Sequence, residues 1–478
     1  MTARIRKFIS DLNDTFWLVP GLMVLGGALA ALACVQLDRS SIIPQWLLEG
    51  WLYNGGATGA RTLLGTVAAS TIGVAGTAFS ITIAALSLAA GQMGPRLLRN
   101  FTCDRGVQFT LGAFLGTFSF ALIVLRSVRT QSEGEFVPHI SLSVAIFLAF
   151  VCVATLVYFV GHMAGRINVD TVIELVSGDV RVALEQLASE TQQPIAPPAD
   201  FWRSATPVFD KRRGYLQQLD DEGLADWAAE QATAIRLLVR PGDYVFPGAP
   251  IAVMKPPAEG ADKAINNATA LGPQRGGSAD LEFAVRQLVE VAVRALSPGI
   301  NDPYTAMSVL DRLGTALCDL VPLHLTSGVS MRKDRVALVI PSIGYDGLVD
   351  AMFHMIRQNA ADHVAVLIRL LEVLTAVVSC ERDPQRMEAL ERHADLVLGD
   401  AERDVATPAD LADIRKRHAG FVRTVLFEDI AAVEVTVVVE VVVGREGVLY
   451  LGQAQFWTLF SAFSLVMRSC SVWVASSP

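Results

Sequence analysis

Between Arg61 and Arg96 the chain carries no ionisable side chain. An apolar stretch of about 18 residues or more reads as a membrane-spanning helix. The run over 62–90 is longer than a span needs. At ~1.5 Å per residue it reaches ~43 Å, against a hydrocarbon core of ~30 Å. It must tilt, bend or project beyond the lipid. Three more apolar runs join it, so four spans are expected, at about 16–35, 62–90, 107–125 and 140–160. Phe16 and Trp17 suit a membrane interface, and Gly21, Gly26 and Gly27 suit close helix packing. Gly112 and Gly116 form a small-xxx-small face on the third span, and Pro138 opens the fourth.

The second span has a pattern. Thr66, Ser70, Gly73, Thr77, Ser80, Ala84 and Ser87 follow one another at alternating steps of four and three. That places them on one helical face. Two readings remain open. Small and hydroxyl residues let helices approach closely where apolar burial gives little drive. The same residues would line a water-filled path in an oligomer. Nothing in the seam ionises, which argues against a proton relay along it.

Basic residues in short flanks set orientation. Arg4, Arg6, Lys7, Arg96, Arg99, Arg105 and Arg166 lie on one side, against Arg39, Arg61, Arg126 and Arg129 on the other. The balance puts the N-terminus and everything after Arg166 in the cytoplasm. Arg96 and Arg99 share a face and have two readings: a topology anchor meeting lipid phosphates, or an arginine ring at the inner mouth of a pore. His139 and His162 flank the fourth span as interface residues, with a pH-sensing role as the alternative.

Beyond the membrane domain, 1–165, a helical connector and linker over 166–198 ends in a Pro-rich stretch. A small β-rich, sandwich-like unit is expected over 199–258 and a mainly helical soluble part over 278–425, making an α+β cytoplasmic domain. An atypical apolar tail fills 426–478. The expected elements are a strand over 214–219, a helix over 221–230, strands over 233–239 and 244–254, a loop over 259–277, a helix over 281–296, a strand over 335–341, and long helices over 347–379, 383–404 and 408–425. In the tail, 449–467 reads as a fifth span, a buried helix, or a segment out of keeping with the rest.

Gly242-Asp243-Tyr244-Val245-Phe246-Pro247-Gly248 resembles a half-motif of biotinyl/lipoyl carriers. Lys255 comes too early for the modified lysine of such carriers, and no second half follows. The glycines read instead as turn positions needing permissive backbone angles, and no cofactor is expected. The other peculiar stretch is 294–306. Ser297-Pro298-Gly299 stops one helix, and Asp302 caps the next with Pro303 at its first position. A helix–turn–helix corner explains it. The alternative is a ligand corner built from Arg294, Asn301, Asp302 and Thr305.

The net charge of -9 lacks the basic footprint of a nucleic-acid binder. The six cysteines form no Cys-x-x-Cys pair, so neither a disulfide framework nor a zinc site is implied. No Ser/His/Asp or Cys/His constellation and no phosphate loop stands out, so an enzyme is not expected.

Four strings together resemble a known family: 94–101 (GPRLLRNF), 111–118 (LGAFLGTF), 136–139 (FVPH) and 295–303 (ALSPGINDP). They are similar to the bacterial predicted-membrane-protein family called domain of unknown function 2254, over roughly 16–425. The resemblance implies an integral inner-membrane protein with an N-terminal membrane domain and a soluble C-terminal one. It supplies no activity and no functional residues. The leading expectation is a homo-oligomeric channel or transport-type protein in the lipid bilayer, gated or assembled by its cytoplasmic domain. The alternative is a non-conducting scaffold or sensor that binds a ligand or partner.

Overall fold

The computed structural model describes residues 15–40, 56–94, 104–129, 136–191, 193–275 and 280–443. Four of its helices are long and apolar enough to cross a membrane: α1 (Leu18–Arg39), α2 (Ala57–Met93), α3 (Arg105–Ser127) and α4 (His139–Ile167). The run 449–467, with its reading as a fifth span, lies outside the described residues, as do Arg96 and Arg99.

Helix α3 is the centre of the bundle. Of its most apolar stretch 61% is buried, against 17–22% in the other three. Small residues let α1 come close: a Cβ on Gly27 would collide with the Gly116 carbonyl, and one on Gly116 would lie 2.9 Å from the Met23 oxygen. Gly112 meets the Met23 side chain. Gly21 and Gly26 have open space around them and are not packing points within the chain. Phe120, Ala121 and Val124 of α3 share a core with Leu64, Val67 and Ala68 of α2 and Leu142 of α4.

Two aspartates tie the bundle at its ends. Asp38, near the end of α1, accepts from the backbone N–H of Ile140 (2.8 Å) and of Ser141 (3.0 Å), and from the Ser141 hydroxyl (2.6 Å). It thereby caps α4 from another helix, satisfying N–H groups that lipid could not. At the opposite end Asp104 caps α3 through Gly106 N–H (2.8 Å). The buried Asp104 carboxylate also meets His162 Nε2 at 2.8 Å and Arg166 Nε at 2.9 Å, binding α3 to the end of α4.

Helix α5 (Val169–Leu187) leads out of the bundle. The strands that follow are β1 (Ala188–Ser189), β2 (Thr206–Phe209), β3 (Gly214–Leu219), β4 (Ala234–Leu237), β5 (Tyr244–Val245), β6 (Pro250–Lys255), β7 (Thr269–Gly272), β8 (His324–Leu325), β9 (Val329–Arg332) and β10 (Arg335–Val339). They make a five-stranded sheet, β2-β6-β4-β10-β9, a three-stranded sheet, β5-β3-β7, and the pair β1-β8. In the larger sheet only β4 and β10 run parallel. Helices α6 (Asp221–Glu230) and α7 (Ala261–Ala268) share a core with that sheet.

The sheets differ from the sequence expectation in three ways. The single strand expected over 244–254 is two, β5 and β6, in different sheets, because Gly248 turns the chain at φ +84°. The loop expected over 259–277 contains α7 and β7. Its Asn and Ala residues conceal an amphipathic turn that buries Ala261, Ile265 and Ala268. Strands β9 and β10 reach the five-stranded sheet from beyond the expected unit 199–258.

The remaining helices form the helical part: α8 (Leu281–Ala295), α9 (Pro303–Leu320), α10 (Tyr345–Asn359), α11 (Val364–Cys380), α12 (Pro384–Asp404) and α13 (Pro408–Val443). The single helix expected over 347–379 is α10 and α11, broken at 360–363. Apolar periodicity continues on both sides of the break, so the pattern conceals it. One large core joins α5 and α8–α13. Leu310, Leu313, Phe353, Leu370 and Leu374 are fully buried in it. Each such side chain removed from water contributes ~1.5–3 kcal/mol, a drive that the lipid-embedded helices lack.

Candidate functional site

Helix α2 has two unlike long faces. Leu64, Val67, Ala68, Thr71, Ala75, Ala78, Ala85 and Ala89 are buried against the bundle. Thr66, Ser70, Gly73, Thr77, Ser80, Ala84 and Ser87 are all exposed. The two sets are out of step by about two residues, roughly half a helical turn. Among the described residues, the seam therefore lies opposite the face that packs on the bundle. Added Cβ atoms at Gly65, Gly73 and Gly76 would meet nothing within 4 Å. The hydroxyls are satisfied locally: Thr66 donates to the Thr62 carbonyl (2.8 Å), Thr77 to Gly73 (3.1 Å), Ser80 to Gly76 (3.0 Å) and Ser70 to Val67 (3.1 Å). Each of these four hydroxyls keeps acceptor capacity outward.

The outward faces of α1 and α4 are built differently. Leu22, Leu25, Leu29 and Leu32 line one, and Phe147, Phe150, Val153, Val157 and Val160 the other. These are ordinary lipid-facing residues. On α2 the exposed Ile72, Phe79, Ile81, Ile83 and Leu88 flank the small seam.

Helix α2 also extends into the soluble part. Met93 is 2% exposed and belongs to the large helical core. Arg294 Nε, at the end of α8, donates to the Gly91 carbonyl at 2.8 Å. A guanidinium at a helix C-terminus satisfies an orphan carbonyl and complements the dipole. Gly94 follows at φ +121°, where a Cβ would lie 2.8 Å from Glu290 Oε1. Only glycine suits both that angle and that approach. The excess length of the uncharged run is thus used as a plug into the soluble domain.

A family profile described as "Predicted membrane protein (DUF2254)" matches residues 13–376. The chain belongs to this family. Two relatives, uncharacterized proteins of Mycobacterium tuberculosis (strain H37Rv) and Mycobacterium bovis, are each 31% identical over 432 residues, 86% of this chain and 81% of theirs. No solved structure matches it.

In this DUF2254 protein the corner at 294–305 is held by internal contacts. Arg294 serves α2. Asp302 accepts from Thr305 N–H (3.2 Å) and from its hydroxyl (2.6 Å), as an N-cap does. Asn301 takes a left-handed φ of 52°, which asparagine tolerates. Gly242, like Gly248, lies at positive φ, so both half-motif glycines serve turns. Sequence reasoning missed the roles of Asp38 and Asp104, because their partners are remote in the chain or on other helices. Their one signal was position: a lone acid beside an apolar run.

Proposed function

We propose that this is an oligomeric channel or transport-type protein of the bacterial inner membrane, in which copies meet along the α2 seam and a solute path runs beside it. The observation that carries the reading is the exposure, among the described residues, of a small, hydroxyl-bearing face opposite the packing face of α2. The arginine balance favours a cytoplasmic soluble domain. That domain would gate or assemble the membrane part through Arg294 and Gly91, since any shift of α8 acts directly on the end of α2. The reading is non-enzymatic.

A second reading is a non-conducting sensor or scaffold. The same α2–α8 junction favours it, because coupling there needs no pore. Native mass in nanodiscs and ion flux in liposomes separate the two. A ring of several subunits, with flux that Thr77→Trp abolishes while assembly survives, supports the channel. A monomer or dimer without flux overturns it.

A further inference from the structure

At one end of the five-stranded sheet, a cavity of about 540 Å³ opens between the start of β4, the end of β6 and the β9–β10 hairpin. Its charged lining is Lys255, Arg332, Lys333 and Arg335, with no carboxylate. In a chain of net charge -9 this is an unusual concentration. Two other clefts are the reverse. One, between the sheets and α8, sets Arg240 against Asp221, Asp280 and Glu282. The other, along α12, has five carboxylates and two arginines.

The four cations are not equally committed. Arg332 Nε pairs with Asp226 at 2.6 Å, which offsets its charge. Lys255 Nζ donates to the Phe201 carbonyl at 3.0 Å and lies 5.2 Å from the centre of that ring. Among the described residues no carboxylate pairs with Lys255. Lys333 and Arg335 are exposed on the hairpin. The turn holds Lys333 and Asp334 at φ 51° and 58°, the two-residue geometry that glycine and asparagine usually supply. The floor is small and apolar: Ala229, Ala232, Ala234 and Ala337.

We propose that this cavity binds a soluble phosphate-bearing small molecule, with its phosphates between Lys255, Lys333 and Arg335 and its organic part over the alanine floor. Several cations converging on a concave apolar surface focus an anion's field better than scattered surface lysines do. A phosphoester offers several acceptor oxygens for the lysine and guanidinium donors. The proposal is independent of the α2 reading and holds whether or not the protein conducts.

The test is equilibrium binding to the full chain in phosphatidylcholine nanodiscs, which add no anionic lipid. The probes are ATP, inorganic pyrophosphate and adenosine. The expected result is saturable binding of ATP and pyrophosphate, none of adenosine, and at least tenfold weakening in Lys333→Gln/Arg335→Gln. Both positions are exposed, so folding should survive. Lys263→Gln/Lys416→Gln, with the same change in net charge, should stay within twofold of wild type. Absence of saturable binding by both phosphate probes would overturn the proposal. So would equal weakening by the two double variants, which would mean a diffuse charge effect. Binding to phosphatidic acid vesicles with no binding of ATP or pyrophosphate would assign the cations to lipid head groups and overturn it too.

Discussion

The membrane domain contains two seams of small residues with opposite fates. One is consumed inside the chain: Gly27, Gly112 and Gly116 bring α1 onto α3 until backbone meets backbone. The other, Thr66 to Ser87 on α2, is exposed among the described residues, with open space beyond Gly73. Both have the same sequence signature, because spacing reports a helical face and not its occupant. The outward faces of α1 and α4 carry leucine, valine and phenylalanine, with Gly21, Gly26 and Gly161 interspersed but no run of hydroxyl residues like that on α2. That contrast is what the proposed assembly along α2 rests on.

Substitution with leucine should separate the two seams most sharply. Gly27→Leu drives a side chain into the Gly116 carbonyl. Overpacking against backbone should cost ~3 kcal/mol or more and lower the yield of folded protein. Gly73→Leu enters open space and replaces a poor helix former with a good one. Monomer stability should hold or rise by up to ~1 kcal/mol. Native mass should show smaller assemblies. Thermal melts and native mass of the two variants check this. If Gly73→Leu melts as low as Gly27→Leu, the two seams are not different in kind.

The junction below the seam gives the next effect. Arg294→Ala leaves the Gly91 carbonyl without its guanidinium, for a loss of ~1 kcal/mol. Arg294→Lys should recover part of it. Hydrogen exchange at 88–94 should rise in the alanine variant while exchange at 64–71 stays unchanged. A rise along the whole of α2 would mean that the helix is held by the soluble domain rather than by the bundle.

How much of this was legible follows from range. Local rules worked. Asp302 caps α9 with Pro303 behind it, and Gly242 and Gly248 turn the chain at positive φ. The four spans were legible because lipid demands long uninterrupted apolar runs. Long-range pairings were not. Arg294 and Gly91 are 203 positions apart, and Asp38 and Ser141 are 103 apart. Both ends of such a pair look ordinary in isolation. The break between α10 and α11 was hidden because each half buries leucine and valine at the same period. For the α2 seam, the face was legible and its emptiness was not. Emptiness depends on where α1, α3 and α4 pack.

The smallest expected effect uses pH to separate the regions. The α2 seam holds no titratable group, so assembly along it should not respond to mild acid. The soluble domain should. His393 is wholly buried between α10 and α12, with Nε2 2.8 Å from Asp350 and Nδ1 unpartnered. Burial holds its pKa below the ordinary 6.5, aided by Arg392 and His354 and opposed by Asp350. The unfolded chain therefore takes up a proton that the folded chain refuses, so stability must fall as pH drops through 6.5. Burial pushes Asp350 up, but hydrogen bonds from His393 and Arg392 outweigh it and keep the carboxyl below its usual 3.8, so its own loss comes only in stronger acid. Between about pH 7.5 and 5.5 the melting midpoint should decline, and less so in His393→Leu. Native mass should stay constant over the same range. Assembly that falls in step with the His393 melt would show that copies meet through the soluble helices, and the α2 seam would then need another occupant.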